Sequence, residues 1–194
     1  MTSNDIIQNA FKYRNYVYWY GGKGLKCTTS LLYALKNLYP SIYTSSYIKK
    51  CENDIKNNKY CIDCSGLICL AYGIPHIGSS QLCATFKKCK PEEAKPGMVL
   101  WRRGHVALVL DENYIIEAKG IDYDVIVSNR INSNFTYGLY LEGINYLYNY
   151  SKGWHTDEKG TWYAYGNQKG CYYKNVTLEI DGKPYTFNDE GYIL

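Results

Sequence analysis

Two residues of this 194-residue chain stand in surroundings that suit nucleophilic chemistry. The string Tyr60-Cys61-Ile62-Asp63-Cys64-Ser65-Gly66-Leu67-Ile68 puts Cys64 where a turn passes into a helix, and Gly104-His105-Val106-Ala107-Leu108 puts His105 on a later strand. Thiolate is the reactive form of cysteine, and a helix N-terminus beside an imidazolium can lower a thiol pKa from about 8.5 to roughly 3.5–7.5. The spacing therefore predicts a Cys64 thiol with a depressed pKa, nucleophilic at neutral pH, with His105 as its base.

The elements that must hold these residues can be read from apolar spacing and from breakers. A first helix capped at Ser3 or Asn4 runs to about Arg14, followed by a Gly-Gly-Lys-Gly turn at 21–24. Two more are expected, over Leu31–Tyr39 before Pro40 and from Ser45 or Ser46 to about Asn57. Ser65–Tyr72 reads as a buried helix stopped by Gly73, which leaves Cys64 at its N-terminal edge. Past Pro96-Gly97, the segments Met98–Trp101, Val106–Leu110, Tyr114–Ala118 and Val125–Ser128 are short and rich in β-formers. Helices first and an antiparallel sheet afterwards make an α+β fold.

Other readings of the same residues are weaker. Cys61-Ile62-Asp63-Cys64 is a Cys-x-x-Cys, and Cys83 with Cys89 would complete a zinc site, but that second pair is six apart rather than three. No βαβ pattern of a thiol oxidoreductase surrounds the motif. His76 reads as a loop histidine and His155 as a surface residue of the tail. No cofactor and no metal are called for.

Composition narrows the class. A net charge of +4 with scattered basic residues gives no nucleic-acid footprint, yet suits an anionic cell wall. No stretch approaches the length of a membrane span, and the N-terminus lacks the charged and apolar regions of a signal peptide. The expectation is a protein made in the cytoplasm, whose eight cysteines are reduced. Its 23 tyrosines crowd the last third, where two aromatic hairpins are expected: Gly153-Trp154 with Trp162-Tyr163, then Tyr172-Tyr173 with Ile180–Phe187.

Four strings in one order, Tyr18-Trp19-Tyr20-Gly21-Gly22, Asp63-Cys64-Ser65-Gly66-Leu67, Pro96-Gly97-Met98-Val99-Leu100 and Gly104-His105-Val106-Ala107-Leu108, resemble the NlpC-type cysteine peptidases. These are papain-like enzymes that cut the peptide stems of bacterial peptidoglycan. The resemblance implies Cys64 as nucleophile and His105 as general base, with Asp63 and Ser65 lining the substrate site. It also implies Tyr18 as a tyrosine whose hydroxyl reaches the active site. The family's third polar residue stands twelve positions after the base, and here that residue is Glu117, a departure from the usual His, Asn, Gln or Asp. Glu117 either orients the imidazole or binds a substrate amine.

The two helices between Gly24 and Tyr60 form an insertion that would wall the groove. The tail resembles cell-wall-binding repeats of the choline-binding type, in which Trp154, Trp162, Tyr163 and Tyr185 would hold choline or a wall glycan. The expected organisation is a peptidase domain at 1–148 and a wall-binding module at 149–194. The expected activity is that of a phage-type lysin, a D-glutamyl endopeptidase or, alternatively, an N-acetylmuramoyl-L-alanine amidase of the same fold. A non-catalytic wall-binding module is the reading from another class.

Overall fold

Apolar spacing and capping side chains place the first helices. The computed structural model describes residues 1–131, 134–146, 152–157, 159–165 and 172–194. Helix α1 (Ser3–Phe11) buries Ile6, Ile7, Ala10 and Phe11, and Thr2 caps it in a reciprocal box with Asp5. Helices α2 (Thr29–Leu38) and α3 (Ser45–Lys56) begin after Thr28 and Thr44, whose hydroxyls accept from the main-chain N–H groups of Leu31 and Tyr47. Each cap lies just ahead of the residue expected, because the capping side chain belongs to the extended residue outside the helix. Helix α4 (Cys64–Tyr72) is capped by Asp63 and closed by Gly73 in the left-handed region.

Two sheets frame α4. In the smaller one, β1 (Val17–Tyr18), β3 (Tyr60–Ile62) and β2 (Lys23–Lys26) lie in the order β1-β3-β2, with β1 parallel and β2 antiparallel to β3. After α5 (Ser79–Thr85), the larger sheet takes β4 (Lys87–Cys89), β5 (Val99–Arg102), β6 (His105–Val109), β7 (Tyr114–Gly120), β8 (Asp124–Asn129) and β9 (Tyr137–Tyr140) in the antiparallel order β4-β9-β5-β6-β7-β8. The four strands read from the sequence are β5 to β8, and the α+β class holds. The small sheet, α5, β4 and β9 were not legible, since pieces this short show no alternation to count.

Alternation along β6 sorts the core into two faces. Val106 and Leu108 join Ile6, Leu67 and Ile68 of α1 and α4, whereas Ala107 and Val109 join Met98, Leu100, Ile115 and Tyr146 on the other side. The insertion has a core of its own, in which Leu32, Leu35, Tyr43 and Cys51 close over Val17, Trp19, Cys27 and Cys61.

The tail forms two hairpins: β10 (Gly153–Asp157) with β11 (Gly160–Ala164) as expected, and β12 (Val176–Ile180) with β13 (Lys183–Phe187), whose first arm is Val176–Ile180 rather than the expected Tyr172-Tyr173. Asp181 and Gly182 both take positive φ, 51° and 76°, which suits the twist of a two-residue hairpin turn. The second hairpin does not stand apart from the rest of the chain. Tyr165, Tyr173, Val176, Leu178, Ile180 and Phe187 are buried in the same core as Ile6, Leu67 and Leu108. The Tyr173 hydroxyl donates to the buried Asp111 Oδ2, and the Tyr114 hydroxyl to the Glu179 carbonyl. Residues 148 and 149, where the two domains were expected to part, lie outside the described residues, as does Cys171.

Candidate active site

A glycine contact sets the position of α4. A Cβ on Gly66 would come within 2.6 Å of the Gly22 carbonyl oxygen, and one on Gly22 within 2.8 Å of the Trp19 carbonyl. Only bare backbone fits at both, so the Tyr-Trp-Tyr-Gly-Gly segment and the start of α4 touch directly. Asp63 ties them together: its N–H donates to the Gly22 carbonyl at 2.9 Å, and its Oδ2 accepts from the Gly21 N–H at 3.0 Å. Its Oδ1 accepts from the Gly66 N–H at 2.6 Å and the Ser65 hydroxyl at 2.9 Å. Burial pushes the Asp63 carboxyl above its usual value, and these donors offset only part of that rise. Asp63 and Ser65 line the cleft, but their side chains bond to each other, to the Gly21 N–H and to the Gly66 N–H of α4.

Cys64 heads α4 and is buried. Main-chain N–H groups of Val106, Ser65 and Cys64 itself bond toward its sulfur, where an anion would develop. Burial, followed by the Asp63 charge, nevertheless pushes the thiol up to about 12. The expected depressed pKa is therefore corrected: desolvation outweighs the helix N-terminus, and the resting thiol is neutral.

His105 opens β6 beside the Arg103-Gly104 turn, and Gly104 has a φ of 79°. Its Nε2 lies 2.6 Å from Glu117 Oε2 in a buried pair. The sheet register explains the twelve-residue step. Leu108 pairs with Ile116 and Val109 with Ile115, so the same register continued sets Glu117 across from Ala107, one diagonal step from His105. Ser128 on β8 donates to Glu117 Oε1, Lys119 Nζ approaches the same oxygen at 3.8 Å, and Phe135 stacks on the imidazole at 6.1 Å. Burial opposes the Glu117 charge, but the bonds from His105 and Ser128 and the nearby positive groups outweigh it, holding the carboxyl below its usual value.

A carboxylate at Nε2 keeps the proton on that nitrogen and leaves Nδ1 as the basic atom. Among the described residues the thiol makes no hydrogen bond with His105 itself; its link to that strand is the next residue's N–H. Tyr18 lies on β1 in register with Ile62, and burial, followed by the neighbouring acidic groups of Cys64 and Asp63, pushes its phenol up. It stays protonated, a donor at the cleft.

The cleft has a volume of about 440 Å³ and is lined by Tyr18, Tyr20, Lys23, Tyr39, Asp63, Cys64, Ser65, His76, Gly104 and the start of α5 at Gly78–Gln81. The insertion does wall it. The Tyr43 hydroxyl donates to the Tyr20 carbonyl, the Tyr20 N–H donates to the Tyr47 hydroxyl, both at 2.8 Å, and Tyr39 packs edge-on to Tyr20.

No family model matches the chain, and no curated protein does. Solved structures do resemble its course. The P60 domain of an antigen from M. avium subspecies paratuberculosis is 19% identical with a TM-score of 0.48, over 71% of this chain and 91% of that one. The NlpC/p60 domain of the peptidoglycan hydrolase SagA is 21% identical with a TM-score of 0.49, over 73% and 100%. The peptidoglycan hydrolase RipB from Mycobacterium tuberculosis is 22% identical with a TM-score of 0.48, over 72% and 63%. At these identities and scores the chemistry of the site rests on its own geometry.

Other expected residues fall elsewhere. Cys61 shares a hydrogen bond with Cys27 in the insertion core, so the Cys-x-x-Cys is split between two cores. Among the described residues no cluster of His, Cys, Asp or Glu has the arrangement of a metal site. Trp154 lies edge-on to Tyr163 and Tyr185, with centroids 4.9 and 4.6 Å away, and keeps an exposed surface. Trp162 stacks on His155 at 4.3 Å. Ser128, Phe135, Lys23 and His76 were missed as parts of the site. Strand alternation combined with the β7–β8 register finds Ser128, because Glu117 pairs with Ile126 and Ser128 is two residues on, on the same face.

Proposed function

We propose that the protein is a cysteine peptidase that cuts an amide of the peptidoglycan stem peptide. The observation that carries this reading is the buried His105–Glu117 contact at 2.6 Å on the strand whose Val106 N–H meets the Cys64 thiol. As Cys64 attacks the substrate carbonyl, the thiol proton passes to His105 Nδ1, and the oxyanion forms beside main-chain N–H groups. Collapse breaks the C–N bond, the leaving amine takes the proton from the imidazolium, and a thioester remains. Water, deprotonated by His105, then releases the acid and restores the thiol.

The neutral resting thiol means that its proton is transferred to His105 during the attack rather than before substrate binds. Catalytic hydrogen bonds are often long before substrate arrives. Within this proposal the bond cut is the D-glutamyl one, with the muramoyl-alanine amide as the alternative. The biological role is that of a phage-type lysin whose half-exposed tail aromatics rest on wall glycan.

A stem peptide carrying an electrophile at the scissile carbonyl tests the reading. Covalent mass on Cys64, lost in His105→Ala, supports it. The neutral thiol without a bond to His105 also favours a second reading, a binding-only scaffold, and that one gains if Cys64 resists the probe.

A further inference from the structure

The cleft carries a charge that the catalytic residues do not use. Lys23 lies on β2 and pairs with Ile62, two positions before Cys64 in the chain. His76 lies in the loop after α4, and both line the cleft that Cys64 opens into. The charged side chains bounding the cleft are Lys23, Asp63 and, when protonated, His76. Asp63 is turned inward, its two oxygens taken by Gly21, Ser65 and Gly66, and makes no ion pair with the lysine. Among the described residues no acidic side chain pairs with Lys23, which is exposed at the cleft wall.

We propose that Lys23 and His76 form a cationic rim that selects a peptide bearing a free carboxylate beside the amide that Cys64 attacks. The proposal deepens the peptidase reading and rests on it for the identity of the peptide. Lys23 supplies the charge and His76, from the loop after α4, an N–H donor, so an anionic group entering the cleft they both line meets two donors while its backbone lies along Tyr18 and Tyr20. The two cleft walls already sense one another: burial and then the Lys23 charge push the His76 imidazole below its ordinary value, while Asp63 pulls it up. A carboxylate placed there relieves that repulsion; a primary amide of the same shape does not. The residues come from β2 and from the α4–α5 loop, so the preference belongs to the cleft walls rather than to the nucleophile and its base.

The test uses the full chain with Cys64→Ala, so that binding is measured without turnover. The probes are two synthetic stem peptides that differ only in whether the glutamyl residue carries a free α-carboxylate or a primary amide. Titration calorimetry is expected to show the acid binding about three- to tenfold tighter, the range of a charge-assisted contact at a partly solvated site. Lys23→Gln in the same background should erase the difference by weakening only the acid, and Lys23→Arg should keep it. Equal affinities, no binding of either peptide, or a preference that survives Lys23→Gln would overturn the inference. Hydrolysis is scored separately with Cys64 present: if neither peptide is cut while the binding preference holds, the peptidase reading fails and the cationic rim stands.

Discussion

His105 Nε2 sits 2.6 Å from Glu117 Oε2, both side chains buried and joined across neighbouring strands. With Ser128 holding the other oxygen, the carboxylate is fixed against one nitrogen of the ring and cannot swing toward the cleft without leaving two partners. This favours the orienting role for Glu117 over that of a substrate-amine ligand.

Glu117→Gln separates the two roles kinetically. As an orienting group its loss lowers kcat by about two orders of magnitude with KM little changed, the scale of general-base catalysis. A KM increase at constant kcat would instead make Glu117 a ligand for the substrate amine.

Acid should destabilise the protein through the same residue. The folded Glu117 carboxyl lies below its ordinary value, so its contribution is present in full above that value and is lost as pH falls through the folded pKa. Denaturant melts of parent and Glu117→Gln are therefore expected to differ at neutral pH and to converge in the acid range below the ordinary carboxylate pKa. Curves that stay parallel at every pH would remove the linkage.

The free thiol gives an opposite sign at the alkaline end. Its pKa rises from 9 to about 12 on folding, so the unfolded chain loses this proton first and stability falls as pH climbs past 9. Iodoacetamide labelling of Cys64 in the free protein should correspondingly be slow at pH 7 and accelerate without a plateau toward pH 10. A plateau near neutrality would show a preformed thiolate–imidazolium pair.

Gly66→Ala tests the contact that sets α4. The added Cβ meets a carbonyl oxygen at 2.6 Å, so backbone must move. A loss of about 1–3 kcal/mol is expected from overpacking of this kind, read as a lower unfolding midpoint, with Cys64 labelling altered at the same time. An unchanged midpoint would mean that the two segments do not touch.

Much of this arrangement could be read from the sequence, and the limits were physical. Cys64 at a helix start, the four central strands and the first hairpin of the tail followed from caps, breakers and alternation. The sign of the Cys64 shift did not, because a helix N-terminus is a local feature whereas burial under the sheet depends on distant residues. The tail was read as a separate module because its texture differs; that its Tyr173 bonds to Asp111 and its Val176, Leu178 and Phe187 share the core of α1 and α4 depends on distant residues and left no mark in the sequence. Lys23 gave no signal and His76 read as a loop histidine, because an exposed residue of β2 and one of the α4–α5 loop are brought to one cleft only by the fold.

The central claim is that Cys64 breaks a stem-peptide amide. Purified peptidoglycan digested with the full chain and analysed by mass should release stem fragments ending at one cleaved amide, and Cys64→Ala at the same concentration should release none. Fragments released equally well by Cys64→Ala would contradict the account.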